Sequence, residues 1–371
     1  MIICYLADAG SIHTQKWVRY FSDKGNEIHI ISFRDARIAG VQVHYIKSLG
    51  TISISPTASL ISKIGYLLWI GKIRRLITKI HPDILHAHWA TSYGLLAAIS
   101  RFHPFILSTW GNDIIISPQK YWIMRKFLEY TLKKADIVTA TSKMLANATR
   151  EFIYDGKPVH TIPFGVDIDL FSPSKEKSSK SKICIGIVKA LENKYGIEYL
   201  IRAFKIVVEK GYRSNLLIVG EGSLRKNLEE LTESLALTDS VRFVGKVDNN
   251  EVVKYLHMID IFVVPSISPS ETFGVAAIEA SSCEIPVIAS DIGGLSEVII
   301  HSKTGFLVPP KDPEAIASKL ILLIKDPLLR RKLGIQGRWF VKSSYDFQNC
   351  GSLMQKQYNK ILNKNRWSST N

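Results

Sequence analysis

Residues 271–280 read Glu-Thr-Phe-Gly-Val-Ala-Ala-Ile-Glu-Ala, which places two carboxylates, Glu271 and Glu279, eight positions apart with Gly274 between them. A helix starting near Gly274 leaves the N–H groups of Phe273, Gly274, Val275 and Ala276 without intrahelical partners, and its dipole favours negative charge at that end. Such an end can hold a phosphate. Glu279 then lies about 7 Å along the helix at 1.5 Å per residue, where it can accept hydrogen bonds from ribose hydroxyls while a diphosphate rests on the N-terminus. Glu271, ahead of the helix, faces the far side of that diphosphate, where the hydroxyls of a sugar would lie. Spacing alone is also met by two ordinary acids at a helix start and on a helix surface, so the surrounding elements must decide.

Those elements follow a βαβ rhythm. Short apolar runs at Ile2–Leu6, Glu27–Ser32, Ile84–His88, 105–108 and 137–141 alternate with helical patterns in the first half, and Ile183–Val188, 215–219, 241–244, Ile261–Val264 and 286–289 repeat the rhythm in the second. Two doubly wound parallel sheets follow. The expected organisation is a domain over 1–170, a polar linker over 171–182, a second domain over 183–345, and a C-terminal helix with a frayed polar tail over 346–371 that packs back on the first domain. Ligands of open α/β sheets bind beyond the carboxyl ends of the strands. The residues there are polar or glycine-rich: Asp8-Ala-Gly-Ser-Ile-His13, His88-Trp-Ala90, Trp110-Gly-Asn-Asp113, Gly220-Glu-Gly-Ser223, and Pro265-Ser266 leading to Glu271.

A chain of 371 residues with 46% hydrophobic and 22% charged content suits a globular protein of two domains. Its four cysteines are scattered without a CxxC pair, which argues against a zinc ribbon or a disulfide framework and fits a reducing compartment. The N-terminus reaches Asp8 quickly and reads as a buried strand, not a signal peptide, so a cytoplasmic location is expected. A net charge of +15 calls for an anionic partner. Basic residues accompany apolar and aromatic ones in 63–79 and in 121–134, as in amphipathic helices that lie on an anionic membrane surface. Two solvated helices of an α/β domain would read the same way. The apolar run that ends at Lys72 falls far short of the roughly 20 residues needed to span a bilayer. Aromatics in helical periodicity, with no recognition motif, argue against a nucleic-acid partner.

The second half resembles glycosyltransferase family 4, the retaining group 1 enzymes of GT-B fold. The resemblance is carried by Glu271-Thr-Phe-Gly274 with Glu279-Ala280, Glu284-Ile-Pro-Val-Ile288, Asp291-Ile-Gly-Gly-Leu-Ser-Glu297 and Thr304-Gly-Phe-Leu-Val-Pro309, an ordered series of about forty residues. Val219-Gly-Glu-Gly222, Val241-Arg-Phe-Val-Gly-Lys246, Asp260-Ile-Phe-Val-Val-Pro-Ser266 and Ile162-Pro-Phe-Gly-Val-Asp167 extend it over the C-terminal domain. Ala9-Gly-Ser-Ile-His-Thr14, Asp83-Ile-Leu-His-Ala-His-Trp89 and Gly111-Asn-Asp113 match more loosely in the N-terminal half. The implied fold is two Rossmann-like domains facing a cleft, with a nucleotide-sugar donor on the C-terminal domain and an acceptor on the N-terminal one. Donor contacts would come from Gly220, Glu221, Gly222, Lys246, Thr272, Phe273, Gly274, Val275 and Glu279, and acceptor-side contacts from Gly10, Ser11, His13 and Asp113.

The family's basic pair after the first C-domain strand reads here Gly186-Ile-Val-Lys189 and Lys194-Tyr-Gly196, with Lys189 where arginine is usual; lysine keeps the charge but loses the bidentate fork. Trp110 stands where many members carry a histidine, so that histidine's role cannot be transferred. His88 and His13 remain candidates for contacting sugar or acceptor, while His86, on the same strand face as His88, also reads as a merely packed residue. Asp167-Ile-Asp169 resembles a metal-binding DxD but precedes the linker and reads as a hinge motif. Lysines and the helix N-terminus can neutralise the departing diphosphate, so neither metal nor cofactor is expected. The chemistry implied is transfer of a hexose, with retention of configuration, to a hydroxyl of a glycan or lipid-linked acceptor in cell-surface polysaccharide or lipopolysaccharide assembly. Catalysis would fall to Glu271, Lys189, Lys194 and His88. A nucleotide-sugar epimerase of the same fold, or a non-catalytic relative that only binds the donor, would share much of the sequence.

Overall fold

The computed structural model describes residues 1–47, 65–174 and 182–368, the side chains of 365–368 excepted. Residues 175–181 of the expected linker, Lys63 and Ile64 of the basic stretch, and tail residues 369–371 lie outside it. The chain forms two compact units, Met1–Pro163 with Cys350–Asn371, and Phe164–Asn349.

The first unit is built on seven strands: β1 (Ile2–Leu6), β2 (Glu27–Ser32), β3 (Val41–Tyr45), β4 (Ile84–His88), β5 (Phe105–Thr109), β6 (Ile137–Ala140) and β7 (Val159–Thr161). Their spatial order is β3-β2-β1-β4-β5-β6-β7, and every pairing is parallel. The second unit has β8 (Ile183–Val188), β9 (Ser214–Val219), β10 (Val241–Gly245), β11 (Ile261–Val264), β12 (Val287–Ser290) and β13 (Gly305–Val308), all parallel in the order β10-β9-β8-β11-β12-β13. Central strands such as β4, β5 and β11 are buried along their whole length, because helices cover both faces of such sheets and leave no polar side. Each sheet reverses direction once, between β1 and β4 and between β8 and β11, and these are the points where ligands of doubly wound folds bind.

Three strands carry no strong signal in the sequence: β3, β7 and β13. Each is a sheet edge. An edge strand pairs on one side only, so it tolerates exposed polar positions and short length; β3 is partly exposed throughout and β7 has three residues.

The change of unit falls between Pro163 and Phe164, earlier than residue 170. Residues 164–172 are held into the second unit: Phe171 is 3% exposed, its carbonyl accepts from Arg338 Nη1 (3.1 Å) and Ser282 Oγ (2.6 Å), and His257 Nε2 donates to the Ser172 carbonyl (2.7 Å). Polar composition marks where a linker can be, whereas the buried aromatic decides where it starts.

The C-terminal helix, Phe347–Ser368, is tied into the first unit by Tyr358, which is fully buried. Its hydroxyl lies 2.8 Å from the Tyr5 hydroxyl and 2.6 Å from His86 Nδ1. The network continues from His86 Nε2 to Ser108 Oγ (2.8 Å) and on to Thr139 Oγ1 (2.7 Å). Tyr358→Phe keeps the ring and strips a hydroxyl that serves two buried partners, so it is expected to lower stability of this unit by about 1–3 kcal/mol, read as a reduced denaturation midpoint with unchanged slope. Burial pushes His86 down to about 3 and His88 well below its ordinary value. The folded unit thus binds fewer protons than the unfolded chain between pH ~6.5 and ~3. Its stability is full above that window and is lost as pH falls through it.

Candidate active site

Lys189 directly follows β8, and Glu271 lies in the loop that follows β11, so the turn of the second sheet brings the two together. Lys189 Nζ sits 2.8 Å from Glu271 Oε2, with side chains 15% and 9% exposed. Burial works against the lysine's charge, but Glu271, helped by Tyr195 and Glu279, overrides it and the Lys189 pKa is raised. Ser266 Oγ donates to the same carboxylate oxygen at 3.4 Å. Lys194 lies in the 3₁₀ turn Asn193–Tyr195. Its ammonium is 4.7 Å from the centre of the Tyr195 ring, and that of Lys189 is 4.5 Å away from the same ring. One aromatic face system thus gathers both cations. Sequence reasoning passed over Tyr195; its place between Lys194 and Gly196 was the available signal.

The remaining donor-side candidates surround this pair. Gly220 has φ +143°, and a Cβ there would stand 1.9 Å from the Lys189 carbonyl; only glycine lets the loop after β9 close on the Lys189 backbone. Gly222 abuts Leu191 in the same way, and the Leu191 N–H donates to the Glu221 carbonyl at 3.0 Å. The Glu221 carboxylate is half exposed and paired with Arg225 (3.0 Å). Lys246 is exposed and follows Gly245, whose carbonyl accepts from Gly220 N–H (2.9 Å).

Thr272, Phe273 and Gly274 are buried, and Val275 opens the helix Val275–Ser282, whose N-cap Gly274 makes no side-chain cap. The loop before this helix is fixed from behind. Gly294 N–H donates to the Glu271 carbonyl (2.8 Å), and a Cβ on Gly294 would come within 2.1 Å of the Thr272 carbonyl. Phe273 packs edge-on against Phe164 and Tyr345. Glu279 is half-buried, and its charge acts on Lys189.

In the first unit, the loops after β1 and β4 meet at the other reversal point. Ser11 caps the helix Ile12–Asp23, and Gly10 lies against the Arg34 side chain, which a Cβ would approach to 2.5 Å. His13 is half-buried, its ring edge-on to Trp110 at 6.1 Å. His88 does not stand at the surface as a direct contact requires. Its ring is 1% exposed, lies 4.2 Å from the Trp110 ring, and has Nδ1 3.2 Å from Thr14 Oγ1. The Trp110 ring packs against His88, which is buried, while His13 stays half-buried.

Asp113 is likewise corrected from an acceptor contact to a loop clamp. It is fully buried, and its carboxylate accepts from the N–H groups of Ala90 (2.8 Å), Gly111 (2.8 Å) and Trp110 (3.2 Å). Burial raises its pKa against the pull of those bonds. In Asp167-Ile-Asp169, Asp167 Oδ1 accepts from Asp169 and Leu170 N–H, a local turn.

Leu68 and Trp122 are 87% and 77% exposed. Exposed Lys72, Arg74, Arg75 and Lys79 lie on the helix Ile70–Ile80, and Arg125, Lys126, Lys133 and Lys134 on Trp122–Lys134. No helix among the described residues is long and apolar enough to cross a membrane.

Comparison with known proteins agrees with this geometry. Residues 170–339 match the family model of glycosyl transferases group 1, and residues 2–142 match that of glycosyl transferase 4-like proteins. The chain is 28% identical over 384 residues to the N-acetyl-α-D-glucosaminyl L-malate synthase of Bacillus anthracis, covering 97% of this chain and 96% of that one. It is 31% identical over 199 residues to the capsular polysaccharide biosynthesis glycosyltransferase CapM of Staphylococcus aureus, covering 54% and 52%. The fold is shared with the sucrose-phosphate synthase of Thermosynechococcus elongatus, with a TM-score of 0.84 at 21% identity over 98% of this chain and 100% of that one. The parallel sheets with their two reversal points are those of the GT-B fold, and the chain belongs to the group 1 glycosyltransferases.

Proposed function

We propose that the enzyme transfers a hexose from a nucleoside diphosphate sugar to a hydroxyl of a glycan or lipid-linked acceptor, with retention of configuration and without a metal ion, in the assembly of cell-surface polysaccharide or lipopolysaccharide. The observation that carries this reading is the Lys189–Glu271 pair beside Lys194, two cations and a carboxylate gathered ahead of a helix N-terminus. The diphosphate rests against Lys189, Lys194 and the first amides of Val275–Ser282, and Glu279 accepts from the ribose hydroxyls. Until the donor arrives, Glu271 keeps the partly buried lysine paired; afterwards it turns to the sugar hydroxyls.

The costly step breaks the bond between the anomeric carbon and the diphosphate oxygen, which takes the electron pair. Lys189 and Lys194 stabilise the charge that grows there. The acceptor hydroxyl attacks from the face the diphosphate leaves, and its proton passes to a phosphate oxygen. Trp110, His13, Gly10 and Ser11 provide the acceptor side. A cytoplasmic enzyme peripheral to the inner face of the membrane fits the basic helices with exposed Leu68 and Trp122. CapM is named for capsular polysaccharide biosynthesis, which supports the polysaccharide setting.

A thermal-shift screen against UDP-, GDP-, ADP- and TDP-sugars with EDTA present tests the donor site. One donor class is expected to raise Tm, and Glu279→Ala to weaken it about 10–100-fold through lost hydrogen bonds to a charged acceptor. A shift that needs a divalent cation would remove the metal-independent mechanism. Equal affinity in the variant would remove Glu279 from the donor.

A further inference from the structure

The helix Pro327–Ser344 in the second unit buries Leu333, Gly334, Gly337 and Val341. A Cβ on Gly334 would come within 2.0 Å of the Glu284 carbonyl, so this face is pressed against the unit. Its other face carries Leu328, Ile335 and Trp339, which are 80%, 45% and 72% exposed. At 3.6 residues per turn these three fall within about 40° of one another. They form an apolar face along a helix 18 residues long, with Arg331 and Lys332 at its margins in the two turns between Leu328 and Ile335.

Arg331 and Lys342 border the stripe on one side and Lys332 on the other, all exposed. The helix contains no acidic residue. Asp326, just ahead of it, is used as its cap and accepts from Leu329 N–H at 2.8 Å. None of these side chains belongs to the donor site.

From this pattern we propose that Pro327–Ser344 lies flat on an anionic lipid bilayer, with Leu328, Ile335 and Trp339 entering the boundary between headgroups and acyl chains. Arg331, Lys332 and Lys342 reach outward along the surface to lipid phosphates, as long basic side chains at the margin of an apolar face do. The tryptophan supplies an amphipathic ring suited to that depth. A protein partner would have to bring carboxylates to both margins of the stripe, whereas an anionic bilayer offers negative charge on every side. This surface lies in the second unit and is argued independently of the basic helices of the first.

The test is flotation of the full chain with vesicles of phosphatidylcholine alone or with about 30 mol% phosphatidylglycerol, at low and high salt. Binding is expected only to the anionic vesicles and to weaken with salt. The double variant Ile335→Glu/Trp339→Glu is expected to lose about tenfold or more of that binding, with Tm and turnover of a soluble acceptor unchanged. Trp122→Glu serves as the comparison in the first unit. If that variant abolishes flotation while the double variant floats like wild type, the inference falls and the membrane role of the first unit stands. Failure of the wild type to bind anionic vesicles overturns it as well. So does light scattering that shows a dimer which the double variant dissolves.

Discussion

Lys189→Met is expected to lower kcat by about 10²–10³-fold, the loss that follows removal of one preorganised group from a developing negative charge and equivalent to roughly 3–4 kcal/mol of barrier. KM for the donor should change less, because the charge on the diphosphate grows mainly as its bond to the sugar breaks. Stability falls too. The variant leaves the Glu271 carboxylate, 9% exposed, without the ammonium 2.8 Å away; breaking such a pair costs about 3–5 kcal/mol unless the carboxylate takes up a proton. Kinetics must therefore be read well below the variant's Tm. Lys189→Arg restores charge in a different shape and should recover most of the rate. A methionine variant with wild-type kcat, folded at the assay temperature, would show that another group bears the leaving-group charge.

Glu271→Gln should cut kcat/KM by about 10–100-fold at neutral pH, through weaker hydrogen bonds to the sugar and poorer placement of Lys189. Its signature is the pH profile. Burial pulls the Lys189 pKa down and Glu271 is the largest influence holding it up. With glutamine there, burial prevails, and the alkaline limb of kcat/KM moves to lower pH. Stability follows the same sign. In the wild type the raised lysine pKa stabilises the fold below the unfolded value of about 10.4 and loses that contribution as pH rises through the folded value. In the variant, the folded unit binds fewer protons than the unfolded chain, so stability is greatest above the unfolded lysine value of about 10.4 and falls as pH drops through the lowered folded value. A profile that scales down without shifting would show that Glu271 does not set the lysine's charge state.

Much of this was legible in the residues themselves. Ordered motifs identify the family because the loop after β11 needs Gly274 to enter the helix and Gly293-Gly294 to lie against the Glu271–Thr272 backbone. These are close approaches that only particular residue types permit. Central strands such as β11 were legible because full burial demands unbroken apolar runs. Edge strands β3, β7 and β13 were not, since one-sided pairing relaxes that demand.

The types of the site residues were set by sequence, and their partners by the fold. Lys189 and Glu271 are 82 positions apart in the chain, and only the reversal between β8 and β11 makes them an ion pair. Tyr195 has no meaning in the sequence beyond a turn residue until two ammonium groups are found around its ring. His88 and Asp113 show the converse. As polar residues at strand ends they read as ligand contacts, yet burial under Trp110 and three backbone N–H groups make one a packed, uncharged ring and the other a loop clamp. Sequence alone determined which chemistry the chain can hold, because that depends on residue type and local spacing. Which polar groups face a ligand and which satisfy the interior was decided by tertiary packing, because burial and long-range pairing are properties of the assembled sheet.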